Sequence, residues 1–406
     1  METASLIDLP PELVNMVVHY LMLQHVKICV LVCHAWKALF QPLLWRHVDL
    51  TLTRRVHRQW IGFSTILRTV GPLVQSVRLD GNATPRSVQQ DLIRVFPHIS
   101  SFEYTGKTSS SSNVNELIGR RNQGWRRLIF HCERLSAEAT FELSAALETL
   151  HHAETLVVLR MEGAGFMRNS TIGHMLSGLP HLKEFYMLGV IRINTFRNWE
   201  EQWSDPADLV LSEWACSNLE VFGCEIRGMP RRDTIRRDRD VSTSSDVMTE
   251  EELESIDIQR QVCAQLGKLI KLKELTLRVL CPAYQEERIL SRLGQISTVR
   301  KWRRFLHHRF HDCLAMSLEY GLDLLGNLKE LRRVGLEDMD VDIGNPAEQA
   351  WVAENWPLAT IVHSRHTEAV LENNDDSDQD DESDDDANDD NVSHLHNDKC
   401  DLNDEF

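Results

Sequence analysis

The densest group of potential metal ligands in this chain is His307, His308, His311 and Cys313, in which His307 and His311 would share one face of a helix. Four ligands so close together on one helix cannot close a tetrahedron around a single ion, and no glutamate follows His307 as in H-E-x-x-H. No metal site is therefore expected. Cys29 and Cys33 also fall on one helix face, but no second cysteine pair accompanies them, and His394 and His396 sit alone in an acidic segment. The sequence has no G-x-S-x-G elbow, no GxGxxG or GxxxxGK[ST] loop, and no Cys–His pair readable as a nucleophile with its base. The expectation is a non-enzymatic binding protein without a cofactor.

Composition narrows the partners. The 406 residues are 42% hydrophobic and 26% charged, ordinary globular content with room for a large core. The formal charge of -17 is unevenly spread: from Glu372 onward about 16 acidic residues face one lysine, so the body before it is close to neutral. A near-neutral body gives no general field for nucleic acid. No stretch approaches a membrane span, and the first residues lack the basic start and apolar core of a signal peptide. Nine cysteines at scattered positions fit reduced core thiols, so the expected setting is intracellular, cytoplasmic and/or nuclear.

Three short amphipathic helices are expected near the N-terminus. Asp8 can cap the first, Pro10 and Pro11 suit its opening turn, and Leu13, Val14, Val17, Tyr20 and Leu21 share one side. A second run is Val26, Ile28, Cys29, Val32 and Cys33. A third, through Leu39, Phe40, Leu43 and Leu44, is expected to be disturbed by Pro42 and Trp45. So few residues cannot bury all this apolar surface alone.

Leu9-Pro10, Glu12-Leu13, Tyr20-Leu21, Cys29, Val32-Cys33, Trp36, Leu39 and Leu44-Trp45 resemble the F-box pattern at the family's spacing. The resemblance implies docking onto the Skp-family adaptor of a cullin ubiquitin ligase, with Leu9, Pro10, Leu13, Cys29, Val32 and Trp36 as the adaptor-binding anchors. Where the family commonly opens its second helix with Asp-Leu, this chain has His25-Val26, a poor cap.

After Trp45 the spacing changes to L-x-x-L-x-L. Its units are Trp45, Val48, Leu50; Val74, Val77, Leu79; Ile99, Phe102, Tyr104; Trp125, Leu128, Phe130; and Leu156, Leu159, Met161. They continue as Leu182, Phe185, Met187; Leu219, Phe222, Cys224; Leu272, Leu275, Leu277; Leu331, Val334, Leu336; and Leu358, Ile361, His363. Two apolar residues at period two turn one face of a short strand inward, and only stacking of successive units can cover that face. Helices are expected over 85–96, 136–150, 169–179 and 206–216, with start signals at Thr84-Pro85, Asp205-Pro206 and Asn345-Pro346, the last with Glu348 at a capping-box position. The whole resembles F-box proteins with leucine-rich repeats. The expected fold class is therefore α/β: a three-helix F-box (1–45), a curved leucine-rich-repeat solenoid (46–371) with parallel strands on its concave side, and a disordered acidic tail (372–406). A doubly wound sheet is the alternative architecture.

Insertions are expected at 228–252, an arginine-rich solvated loop, and at 297–325, a helix carrying Trp302, Phe305, Leu306, Phe310, Leu314, Leu318 and Leu322 on one side. Alternation places Arg78, Glu103, His131, Arg160, Glu162, Tyr186, Glu225, Arg278 and Glu337 on the concave side as target-binding candidates. Ser377 and Ser383, each followed by acidic residues, are candidate phosphorylation sites. The implied function is substrate recognition for an SCF-type ubiquitin ligase, with an adaptor, a cullin and an unknown protein substrate as partners and neither nucleic acid nor membrane. A non-ligase scaffold, or an acidic-tail chaperone for basic proteins, is the alternative.

Overall fold

The computed structural model describes residues 10–51, 65–81, 95–106, 124–135, 153–164, 169–189, 206–226, 229, 235, 247–277, 313–336, 339 and 345–362. The acidic segment after residue 371, with Ser377 and Ser383, lies outside them, as do Leu9, Arg278, Glu337 and His307 to His311. Three helices, α1 (Pro11–His19), α2 (Leu23–Val30) and α3 (His34–Leu44), precede ten strands. These are β1 (His47–Asp49), β2 (Ser76–Asp80), β3 (Ser101–Gly106), β4 (Arg127–Leu135), β5 (Val158–Ala164), β6 (Glu184–Gly189), β7 (Val221–Cys224), β8 (Glu274–Thr276), β9 (Arg333–Gly335) and β10 (Thr360–Val362).

All ten strands form one sheet in strict chain order, and every neighbouring pair is parallel. A doubly wound sheet would reverse that order at a switch point, and no reversal occurs. The register aligns the middle residue of each unit, so that Val48, Val77, Phe102, Leu128, Leu159, Phe185, Phe222, Leu275, Val334 and Ile361 make one apolar row. Leu79, Tyr104, Phe130, Met161, Met187 and Cys224 form a second row beside it, all buried in a single core. Aromatic rings thicken the middle of this core: Phe222 stacks between Phe185 (5.9 Å) and Trp214 (5.8 Å), and the Trp214 indole N–H donates to the Leu209 carbonyl.

Stepping from unit to unit uses the backbone. The residue just before a strand accepts two N–H groups from the next unit: Arg46 from Gln75 and Ser76, Gln75 from Ser100 and Ser101, Ser100 from Arg126 and Arg127. The same pair of bonds recurs at Arg126, Val157, Lys183, Glu220 and Lys273. Trp45 caps the end of α3 and packs against the core, and Arg46 already holds the second unit, so the helices run straight into the sheet.

Helices and turns cross from strand to strand. The expected helix at 169–179 is α4 (Asn169–Gly178). The one expected at 206–216 is a single 3-10 turn, Pro206–Leu209: Gly173 of α4 comes so near that an added Cβ would sit 2.8 Å from the Asp208 carbonyl oxygen. The expected helices at 85–96 and 136–150 fall almost wholly outside the described residues.

The insertions differ from expectation. Met229 and Ile235 are buried, so 228–252 is not wholly solvated, and its end opens α5 (Glu250–Gly267) through a complete capping box between Thr249 and Glu252. In place of a helix through Leu314, Leu318 and Leu322, residues 314–316 are irregular, Met316 (φ 51°) and Gly321 (φ 104°) turn left-handed, and a 3-10 turn follows over Leu322–Asn327. Side chains from two helices hold that segment. Gln259 of α5 accepts from the Ala315 N–H at 3.0 Å, and Glu348 of α6 (Pro346–Asn355) accepts from the Leu318 N–H at 3.3 Å. Glu348 thus serves a distant backbone rather than its own cap, and Asn345 alone caps α6 by accepting from the Ala347 N–H. In the last unit Leu358 stays 75% exposed, while Trp356 fills the turn, stacked edge-on against Trp351.

Candidate functional site

Two surfaces stand out, and the first lies on the N-terminal helices. Pro10 opens α1, its carbonyl accepting from the Leu13 and Val14 N–H groups, with Pro11 in the first turn where no donor is needed. The second helix starts at Leu23, before the expected His25-Val26, and its N-cap Met22 makes no side-chain cap bond. The third begins on Cys33, whose Sγ accepts from the Trp36 N–H, and continues through Pro42 to Leu44. Pro42 cannot donate to the Ala38 carbonyl, and the helix ends two residues later, at Leu44.

Among the described side chains of these helices Val14, Val26 and Phe40 are the buried apolar ones, with Trp36 against Phe40 at 5.5 Å. Far more apolar surface faces outward: Leu13 (42% exposed), Met16, Val17, Tyr20, Ile28, Leu31 and Val32 (58% exposed). Large apolar side chains exposed in this number mark an interaction site. Of the expected anchors, Pro10, Leu13 and Val32 are exposed and Cys29 and Trp36 half-buried. Met16, Ile28 and Leu31 are as exposed but were not among them. Helical spacing from Leu13 to Met16, Val17 and Tyr20 is the sequence signal that marks the first.

The second surface is the polar face of the sheet, opposite the core. Arg78 on β2 pairs with Glu103 on β3 at 2.9 Å, and His131 on β4 reaches Glu103 at 3.7 Å and Glu162 on β5 at 2.9 Å. An ionised carboxylate only accepts, so the His131 Nδ1 carries the proton toward Glu162. Arg160 binds Glu184 on β6 at 2.9 Å and lies 5.6 Å from the centre of the Tyr186 ring. That ring leans over Gly223, where an added Cβ would come within 2.3 Å of it. Exposed pairs of this type contribute only about 0–1 kcal/mol each. Their consequence is orientation: the bonds fix charged side chains into a ladder across five strands.

Of the expected target-binding residues, Arg78, Glu103, His131, Arg160, Glu162 and Tyr186 are together on this ladder. Glu225 is not on an open surface. It follows the last residue of β7, where alternation no longer holds, and is buried between Cys224 and Ile226. Glu184, missing from the expected set, is a full member, at the first position of its strand, one place before the inward Phe185.

Among the described residues no three His, Cys, Asp or Glu gather as a metal site. Burial pushes the Cys216 and Cys263 thiols up to about 12 and raises that of Cys224 well above its usual value, so none ionises near neutral pH. Cys313 is also buried. No described helix is long and apolar enough to cross a membrane.

No curated protein matches the chain. A family model does: residues 6–51, the three helices with their exposed apolar surface and on through β1, match the F-box-like family, which makes this end of the chain an F-box-like domain.

Proposed function

We propose that the chain is the substrate-recognition subunit of an SCF-type ubiquitin ligase, itself without catalytic chemistry. The F-box-like domain grips a Skp-family adaptor, and the adaptor joins it to a cullin. The ten-stranded sheet is read as a leucine-rich-repeat solenoid, supported by its strict chain order and by the apolar rows that L-x-x-L-x-L spacing creates. Its polar face, with Arg160, Glu162 and Tyr186 near the centre, receives the protein substrate. Holding a target beside the ligase's other subunits raises the effective concentration of ubiquitin at its lysines. None of the six cysteines whose side chains are described forms a disulfide, which suits the intracellular setting of such ligases.

One observation carries this reading: the F-box-like region leaves many large apolar side chains exposed, among them Leu13, Met16, Val17, Tyr20, Ile28, Leu31 and Val32. The test is a double substitution, Leu13→Asp with Val32→Asp, followed by co-purification with a Skp-family adaptor. Both side chains are already largely solvent-exposed, so the fold should survive. If each is an anchor worth about 2 kcal/mol, binding should fall several hundredfold. Undiminished adaptor recovery from a folded double variant would refute the proposal, as would an adaptor-bound complex that ubiquitinates no captured protein.

A further inference from the structure

The strands share one direction, so every strand start lies along one edge of the sheet, and that edge carries a charge pattern the proposed function does not use. The position just before each strand holds Arg46, Arg126, Lys183, Lys273 and Arg332 against a single carboxylate, Glu220. That carboxylate is held by two of the lysines, Lys273 at 2.6 Å and Lys183 at 3.5 Å, so it is neutralised with positive charge to spare. One residue further, Arg127 and Arg333 stand in the same register row. Glu184 in that row is engaged by Arg160, leaving Glu274 as the opposing charge.

Arg126, Arg127, Arg332 and Arg333 are exposed, and none pairs with a carboxylate among the described residues. At the other ends of the strands the described solvent-accessible charged side chains are of the opposite sign: Asp49, Asp80 and Glu162. The polarity therefore runs along these strands.

We infer that the leading edge of the sheet, from the Arg126-Arg127 pair to the Arg332-Arg333 pair, is a docking surface for a run of acidic residues in a partner polypeptide. Geometry sets its scale. From β4 to β9 there are five strand spacings, about 24 Å, which an extended peptide of roughly seven residues spans. A shorter acidic run reaches only one arginine pair. A polypeptide fits better than a nucleic acid because neither row carries a Phe, Tyr or Trp on which bases stack. This surface is separate from the adaptor-binding helices and shares only Glu184 with the polar-face ladder, so it stands or falls independently of the ligase reading.

The test uses the full-length chain and two fluorescein-labelled polyglutamates, of four and sixteen residues, in anisotropy titrations at low and physiological salt. The longer probe should bind at least about tenfold more tightly than the shorter, with an affinity that falls as salt rises. Charge reversal by R126E, R127E, R332E and R333E together should weaken the longer probe about tenfold or more. Reversal of the exposed Arg68→Glu, which precedes β2 and so lies outside the units from β4 to β9, should leave it unchanged. Should the quadruple reversal fail to fold, as judged by circular dichroism, neutralisation with R126Q and R332Q should still give a several-fold loss. Equal affinity for both probe lengths, an unchanged affinity in the folded arginine variants, or tighter binding of an oligothymidylate of matched length would each overturn the inference.

Discussion

Phe222 and Gly223 are neighbours on β7 that face opposite ways, and substituting each by alanine separates the two faces of the sheet energetically. Phe222 is fully buried between the Phe185 and Trp214 rings, so Phe222→Ala removes a stacked core ring and should cost about 3–5 kcal/mol. Gly223→Ala adds a methyl where the nearest atoms are Tyr186 Cδ2 at 2.3 Å and Cε2 at 2.6 Å. The obstacle is a side chain on the polar face, so the ring swings aside and the backbone stays. Leaving its place costs about 1 kcal/mol in rotamer strain and about 0.5–1 kcal/mol of contact with Arg160. Alanine's better strand entropy returns about 0.5–1 kcal/mol. The net penalty is therefore about 1 kcal/mol, several times less than at the adjacent position. Urea unfolding followed by tryptophan fluorescence gives both values, and Trp214 beside Phe222 reports on the core. In a Tyr186→Ala background the added methyl meets nothing, so Gly223→Ala should become neutral or stabilising. A penalty that persists there, or one that equals that of Phe222→Ala, would mean that the backbone gives way and that the ring does not rest on this glycine.

Two further outcomes follow from buried polar groups. Gln259→Ala strips the Ala315 N–H of its acceptor in a fully buried site and should destabilise by about 1–3 kcal/mol, with faster hydrogen exchange confined to 313–320; uniform exchange would refute the clamp. Native-state alkylation near pH 8, mapped by mass spectrometry, should label the exposed Cys33 and spare Cys216, Cys224 and Cys263. Because the folded Cys216 and Cys263 thiols titrate near 12, that of Cys224 is raised well above its usual value, and unfolded ones titrate near 9, their stabilisation is complete below pH 9 and is lost as pH rises through 9 to 12. Equal labelling of Cys216 and Cys33, or stability that rises across that range, contradicts the burial.

The sheet was legible in the sequence because its rule is local. An apolar residue at every second place marks a strand wherever it sits, and the middle residue of every unit read that way, from Val48 to Ile361, falls in one register row. The helix α5 was hidden for the opposite reason. Glu252, Ser255 and Gln259 are buried on its inner side, so its first turns lack an apolar stripe, although Thr249 and Glu252 spelled its capping box. Leu314, Leu318 and Leu322 misled because helical spacing is necessary for a helix and not sufficient. Left-handed Met316 and Gly321 break the turn, and side chains far away in sequence bind the freed amides. The site was half legible: alternation selected the ladder from Arg78 to Tyr186, but it cannot tell which pairs bond, and it fails at Glu225, beyond the strand's end.

The bonds by which the backbone carbonyl before each strand receives two amides from the next unit have a consequence for how such a chain can change. Position in the stack is measured at one residue per unit, by main-chain atoms that every amino acid other than proline supplies in full. The spacing between two measuring points is not fixed, and here it ranges from 25 positions (Gln75 to Ser100) to 59 (Lys273 to Arg332). A segment can therefore be lengthened, replaced or recharged without shifting the strands on either side. The scaffold separates a counted part, which keeps the faces aligned, from an uncounted part that is free to acquire new surfaces.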